Sequence, residues 1–299
     1  MSKWWGWDHE PRQSKGGGEL YYDLHTHTVW SDGELSAEAL VACAVKAGVQ
    51  VLALTDHDTV AGLAEAATAA RTLGIVLVPG VEVSISWQGL TVHIVGLDID
   101  PSHEPLQRGL RRLQEIRRER ARLIVQALAH AGLGDAQSVL VRNGIVSRTH
   151  IADWLVEQGH ARDQGTAFKR FLTRGGPGHV NVVWADLAEA IGWIHGAGGC
   201  AVLAHPTRYR LSSGRLQQLV RAFAEGGGIA LEVVTAGLDE GEIGRLARLA
   251  ERHGLRASVG SDYHKPLPWR PLPGGLPELP AMCVPVWQER PHMQARRSA

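Results

Sequence analysis

Two histidines stand two residues apart in the stretch YDLHTHTVWSDGELS, residues 22–36, and Asp32 follows them. In an extended chain alternate side chains point the same way. His25 and His27 would therefore aim two imidazoles at one point. Imidazole nitrogens and carboxylate oxygens that converge are ligands for a divalent metal such as zinc, manganese or iron(II). Further donors recur down the chain: Asp56 and His57 in LTDHD, Glu82 in PGVEVS, His93 in TVHIVG, His205 in VLAHP, and Asp262 and His264 in VGSDYH. An HxH pair alone occurs by chance, and one histidine at a strand end usually serves as a hydrogen-bonded neighbour. Six histidines and several acids, nearly all at predicted strand ends, are hard to explain as packing.

Those ends belong to strands that alternate with helices. LYYDLH predicts a strand. SAEALVACAVKAG predicts a helix with Ser36 as N-cap and Gly48 past its end. VQVLALTDHD reads as a buried strand, followed by the Ala-rich helix VAGLAEAATAARTLG, then by strands IVLVPGVEVSI and TVHIVGLDI. Residues 104–180 read as helices only. From residue 186 the alternation returns, and CAVLAHP, IALEVV and LRASVGSDYH give three more strands. Repeated strand–helix units imply a parallel sheet, open or closed into a barrel, with strand C-termini gathered on one face where active sites sit. The expected division is a tail over 1–19, an α/β body over 20–100 and 186–299, and a helical insertion over 101–185. The Pro-rich stretch after 265 is expected to be irregular and packed over the body.

The chain has 299 residues, 44% hydrophobic, with 31 basic and 31 acidic side chains. That suffices for a sizeable core, and the zero net charge announces no nucleic-acid partner. Apolar runs are short, so no membrane span is expected. The first twenty residues, bearing Trp4, Trp5 and Trp7, lack the apolar segment and cleavage site of a signal peptide. Cys43, Cys200 and Cys283 are scattered and odd in number, which points to a reducing, cytoplasmic setting. In the long helix, Leu106, Leu110, Leu113, Ile124 and Leu128 form a packing face. The seven arginines of Arg108–Arg122 read as a solvated face, with RNA steering as the lesser reading.

The ordered set DLHTHTVWSDG, LALTDHDTVAG, VPGVEVS, VHIVGLDID, LAHPTRY and GSDYHKP resembles the motifs of the polymerase and histidinol phosphatase (PHP) superfamily. SRTHIA, AFKRFL and PWRPLPGGLPELPAMCVPVW are similar to its branch of 3′,5′-nucleoside bisphosphate phosphatases and 5′→3′ exoribonucleases (the RNase AM type). The resemblance covers about residues 20–288. It implies an α/β fold, a distorted (β/α)7 PHP barrel with a helical insertion. It also implies three divalent metal ions, commonly manganese, with zinc, iron(II) or magnesium as alternatives. His25, His27, Glu82 and Asp262 would hold the first; Glu82, His93 and His205 the second; Asp32, His57 and His264 the third. Asp23 and Asp56 would orient histidines or cap strand ends. Arg148 and Arg208, with His150 and Lys169 as weaker candidates, match the positions that contact substrate phosphate. One departure is TRGGPGHV, where the branch often carries a lysine and a tyrosine; here Arg174, Gly176 and His179 stand instead.

The implied activity is cleavage of the P–O3′ bond of a nucleoside 3′,5′-bisphosphate or of short 5′-phosphorylated RNA. The nucleophile would be a metal-bridging hydroxide, which multiple dications make available near neutral pH. No serine or cysteine nucleophile is suggested, no side chain is assigned as general acid, and no membrane or obligate protein partner is expected. A phosphomonoesterase such as a histidinol phosphatase would need no 5′-phosphate site. A non-catalytic metal-binding scaffold would lack ligands, and here the set is complete. Glu232 in ALEVV and His195 read as structural.

Overall fold

The computed structural model describes residues 21–266 and 272–294; the tryptophan-bearing tail expected over 1–19 lies outside them. Seven strands lie side by side in chain order: β1 (Tyr22–Asp23), β2 (Val51–Leu54), β3 (Val76–Trp87), β4 (Leu90–Leu97), β5 (Cys200–Leu203), β6 (Ala230–Thr235) and β7 (Arg256–Gly260). The amide just past β1 returns to the last strand, Leu24 N donating to Val259 O at 3.0 Å. The sheet thus curls into a nearly closed barrel, as the resemblance implies. Strand β2 is buried at every residue, as a parallel strand covered on both faces must be.

The expected all-parallel pairing fails at one strand. β4 runs antiparallel to both β3 and β5, while the other pairs are parallel. The reason is local. Only Gln88 and Gly89 join β3 to β4, both with positive φ (46° and 76°), the conformation of a tight hairpin turn. A parallel connection needs a crossover of a dozen or more residues.

The barrel helices are α1 (Ala37–Lys46), α2 (Leu63–Leu73), α6 (Leu187–Gly196), α7 (Ser213–Glu225) and α8 (Glu240–Arg252). Four of these five starts carry side-chain caps, α2 with Gly62 being the exception. Ser36 Oγ accepts from Ala39 N, and Asp186 with Glu189 and Asp239 with Glu242 form capping boxes. Between β4 and β5 come α3 (Glu104–His130), α4 (Arg148–Glu157) and α5 (Gln164–Ala167), which runs on into a π-helical turn, Phe168–Leu172.

Helix α3 serves two cores. Leu106, Leu110 and Leu113 pack in the barrel core. Ala121, Ile124, Val125 and Leu128 pack with Ile151, Leu155, Phe171 and Leu172 in a second core inside the helical segment. The chain rejoins the sheet at Ala185, which bridges Ile85. Residues 272–294 are mostly irregular and lie against the barrel, with Trp287 stacked on Tyr22 at 3.9 Å.

Candidate metal centre

Glu82 lies mid-strand in β3 and is fully buried. One of its oxygens, Oε2, faces His57 Nδ1 at 2.8 Å and His25 Nε2 and His27 Nε2 at 3.3 Å each. The other, Oε1, faces His93 Nδ1 and His205 Nε2 at 2.9 Å each. Five imidazoles therefore surround one carboxylate. The hairpin explains His93: it pairs with Ser84 across β3–β4, so its ring shares the face of Ser84 and Glu82. Asp262 Oδ1 lies 3.0 Å from His27 Nε2 and 3.5 Å from His25 Nε2. Asp32 Oδ1 lies 3.2 Å from His264 Nε2 and 3.6 Å from His57 Nε2.

All nine residues expected as ligands are thus brought together. Their donor atoms fall into three overlapping groups, each within 4.8 Å: His25, His27, Glu82 and Asp262; His27, Asp32, His57 and His264; and His57, Glu82 and His93. The first matches the expected set. The second adds His27 to the expected trio. In the third, His57 stands where His205 was expected, and His205 meets Glu82 from the other side.

The chemistry of these donors fits divalent cations. Among the described residues, His25 Nε2, His27 Nε2, His57 Nδ1, Asp32 Oδ1 and Glu82 Oε2 are buried and make no well-formed hydrogen bond. Each such atom costs about 1–3 kcal/mol, so their concentration at one point is what a bound cation would relieve. Burial holds His27 well below its ordinary pKa, helped by neighbouring His264 and His57. Burial also pushes His93 down to about 4. Burial works against ionisation of Glu82, but His57, His93 and His25 outweigh it and hold its carboxyl well below the usual range. Burial works against charge on His25, but Glu82 and Glu232 beside it outweigh burial and raise its pKa to about 10, so a metal ion binding there would displace a proton.

Two histidines have their outer nitrogen or backbone fixed by one acid. His25 Nδ1 donates to Glu232 Oε1 at 3.0 Å, and Glu232 Oε2 accepts the His205 backbone N–H at 2.5 Å. Burial would raise the Glu232 pKa, but His25 beside it lowers it, so the carboxylate accepts the Nδ1 proton and leaves Nε2 as the atom aimed at Glu82. Glu232 therefore holds a ligand in place, beyond the structural role its sequence suggests. Ser31 Oγ donates to Asp56 at 2.6 Å and lies 3.4 Å from His27 Nδ1. Asp56 also accepts from Thr28 N and Oγ1, and Asp23 accepts from Ser261 N and Gly274 N. Both aspartates tie backbone segments together and touch no imidazole directly.

The strand ends bend sharply to aim these groups. His205, Asp262 and Asp58 have φ of 27°, 49° and 50°, a region that favours glycine and costs a non-glycine residue about 1–3 kcal/mol. Gly260 ends β7 where a Cβ would collide with His25 Cβ and Glu232 Oε1. No other residue leaves room for that pair.

A group of arginines stands beside the centre. Arg117, nearly buried on α3, donates to Asp58 Oδ2 at 2.5 Å and to Ser84 Oγ at 2.8 Å. Arg120 is pushed down to about 9 by burial and by Arg148 and Arg117, so it remains charged at neutral pH. Arg148 sits at the first position of α4, its guanidinium 5.5 Å from the Phe168 ring, and burial and Arg117 lower its pKa. Arg208, in the turn after β5, pairs with Asp262 Oδ2. His150 Nδ1 accepts from Ser147 N at 3.1 Å and closes the α4 capping box. Burial and Arg142 hold its ring at about 4, hence neutral. Lys169 is exposed on the π-helical turn.

The PHP domain family model matches residues 23–157. A 3′,5′-nucleoside bisphosphate phosphatase of Chromobacterium violaceum is 43% identical, over 89% of this chain and 95% of its own. The chain belongs to the PHP family. A 5′-3′ exoribonuclease Rnm of Escherichia coli is 44% identical, over 93% of this chain and 97% of its own. A solved Chromobacterium violaceum structure, described as an amidohydrolase with bound sulfate and no metal, superposes with a TM-score of 0.85 at 42% identity, covering 90% and 95% of the two chains.

Proposed function

We propose that this PHP protein is a metal-dependent phosphoesterase that cleaves the P–O3′ bond of nucleoside 3′,5′-bisphosphates and of short 5′-phosphorylated RNA. Relatives that span nearly its whole length are named a 3′,5′-nucleoside bisphosphate phosphatase and a 5′-3′ exoribonuclease. The observation that carries the reading is the Glu82 carboxylate, shared between His25 and His27 on one oxygen and His93 and His205 on the other.

We assign three divalent ions: His25, His27, Glu82 and Asp262 would hold one, Glu82, His93 and His205 a second, and Asp32, His57 and His264 a third. The close approach of donor atoms supports the first and third sets, and puts His57 beside Glu82 and His93 in the second. A donor set of nitrogen and oxygen without thiolate suits manganese, with zinc, iron(II) or magnesium as alternatives. Such ions, when bound, supply an activated water and neutralise the phosphoryl oxygens and the departing O3′. The chain's own groups do the rest. Glu232 keeps the His25 proton on Nδ1. Tyr209 accepts the His93 backbone N–H and donates to Ala204 O, fixing β4 against the turn that carries His205. Arg148 and Arg120 offer a bidentate site for the 5′-phosphate, and an anion there relieves the repulsion between them. Arg208 pairs with Asp262 and in this reading is a second phosphate contact beside the metal centre. Three free cysteines accord with a cytoplasmic protein, and no described helix is long and apolar enough to cross a membrane.

The test is manganese-supplemented hydrolysis of adenosine 3′,5′-bisphosphate and of a 5′-phosphorylated RNA trimer, each beside its 5′-hydroxyl counterpart. The phosphorylated substrates are expected to be cleaved, and Arg148→Ala should lower kcat/KM on them by roughly tenfold or more. Equal rates with and without the 5′-phosphate would remove the arginine assignment. Cleavage of a simple phosphomonoester alone would make this a monophosphatase.

A further inference from the structure

A cleft of about 710 Å³ opens beside the metal centre, between the barrel segment 29–34 and the helical insertion. Its inner end is formed by Asp32 and His264, and its outer wall by Arg142, Lys265 and the outward face of α4. The volume falls within the ~300–1,000 Å³ usual for clefts that take small organic ligands. We propose that this cleft binds the ribonucleotides on the 3′ side of the scissile phosphate, so that chain length is read there. The proposal rests on the phosphoesterase reading above.

Helix α4 separates this cleft from the arginine group. Successive residues on a helix turn by about 100°. Thr149, Asp153 and Glu157, at i, i+4 and i+8, line the cleft. Arg148 lies on the other side with buried Ile151, Ala152 and Leu155, facing Phe168 and the arginines of α3. A substrate whose 5′-phosphate rests on Arg148 and whose next phosphate rests at the metal centre has its first nucleoside between them. Asp32 and His264 belong both to the metal centre and to the cleft, which gives the rest of the RNA a continuous way out between them and α4.

Its walls suit nucleotides. Arg142 is exposed, and Lys265 Nζ lies 3.5 Å from Glu34 and 3.7 Å from Asp153, which leaves it partly compensated. Arg142 and Lys265 stand among four carboxylates, Asp32, Glu34, Asp153 and Glu157, with hydroxyl and amide groups between them, so the lining is mixed and carries more acid than base. That lining favours base edges and ribose hydroxyls with an occasional phosphate over a continuous phosphate track. The inner end is held firm: Thr149 Oγ1 donates to Asp32 Oδ2 at 2.9 Å, and Ile145 N donates to Trp30 O at 2.9 Å. In the reaction a water oxygen bonds to phosphorus as P–O3′ breaks and O3′ takes a proton. The nucleotides in the cleft keep that phosphate as their new 5′-phosphate, ready to shift toward Arg148.

The experiment compares kcat/KM for a 5′-phosphorylated RNA trimer with that for adenosine 3′,5′-bisphosphate, in the manganese-loaded parent and two variants. Arg142→Ala removes a cation; Glu157→Trp fills the cleft from an exposed position at the end of α4. Cleavage of the bisphosphate by the parent secures the underlying reading separately. The trimer-to-bisphosphate ratio is expected to fall roughly tenfold in Arg142→Ala, the size of one lost charged contact, and to fall in Glu157→Trp because the indole takes the space of the nucleotide. An unchanged ratio in both variants overturns the proposal. An equal fall on both substrates also overturns it, since the cleft would then hold the first nucleoside.

Discussion

Replacing Glu232 by Gln tests whether a carboxylate outside the ligand set governs the centre. Its two oxygens accept from two different donors, the His25 Nδ1–H and the His205 backbone N–H. An amide has one acceptor atom and one donor group, so it satisfies one of them at most. If its oxygen serves His205, its NH2 faces His25 Nδ1. The ring must then move its proton to Nε2, the atom that faces Glu82 and Asp262. If its oxygen serves His25, its NH2 opposes the His205 amide, at the residue whose φ of 27° already places it under strain. Either orientation disturbs one ligand of Glu82.

Losing such an outer partner costs about 10–100-fold in metal affinity, or roughly 1.4–2.8 kcal/mol. Calorimetric titration of chelator-treated protein with manganese reads this directly, and circular dichroism checks the fold. Glu232→Asp keeps the charge but shortens the side chain, and should lose affinity too if position matters as well as charge. Parent-like manganese affinity in Glu232→Gln, with the fold intact, would refute the reasoning that Glu232 sets the His25 tautomer.

The insertion supports two further tests. Arg117→Ala leaves Asp58 buried without its partner and should lower stability by about 3–5 kcal/mol; a loss below about 1 kcal/mol in chemical denaturation would show that the pair is no anchor. His150 is held at about 4, below the ordinary 6.5, by burial and by Arg142, and only its neutral ring can accept from Ser147 N. A depressed folded pKa means stability that is complete above pH 6.5 and lost as pH falls from 6.5 through about 4. His150→Gln keeps an acceptor at that capping position without titrating. The parent-minus-variant unfolding free energy of chelator-treated protein should therefore be level above pH 7 and drop by about 2–3 kcal/mol by pH 4; a level difference throughout would refute it.

The convergence of the nine donors was legible because strand ends can be read from short buried runs bounded by turn residues, and a barrel gathers such ends. The reversal of β4 is marked by the five residues SWQGL between the two expected strands, too few for a crossover. Glu232 was not legible. It sits in an apolar run, and its partner His25 lies 207 residues away, so no local pattern marks it. Arg117 falls between. Seven arginines look alike by count, yet Arg117 follows Leu113 by four and precedes Ile124 by seven, on the packing face itself. That spacing singles it out from its solvated neighbours.

The reversed strand also explains where the insertion stands. Because β4 runs against its neighbours, its C-terminus at Leu97 emerges at the end of the barrel away from the metal centre. Asp100 N there bonds to Ala197 O, at the end of α6 and just before β5 begins. A short loop would lead straight into the antiparallel β5. Helix α3 instead has 27 residues, about 40 Å at 1.5 Å each, long enough to climb back along the barrel. Its course is marked by contacts: Arg112 pairs with Glu189 near the start of α6, Gln114 bonds to Asp58 O, and Arg117 pairs with the Asp58 carboxylate beside His57. The second core then begins at Ala121, as the helix clears the barrel. Everything after it, including Arg148, Thr149 and the cleft, is delivered over the histidines by that climb. The reversed β4 thus launches the insertion from the far end, and the length of α3 is what brings it back to the metal centre.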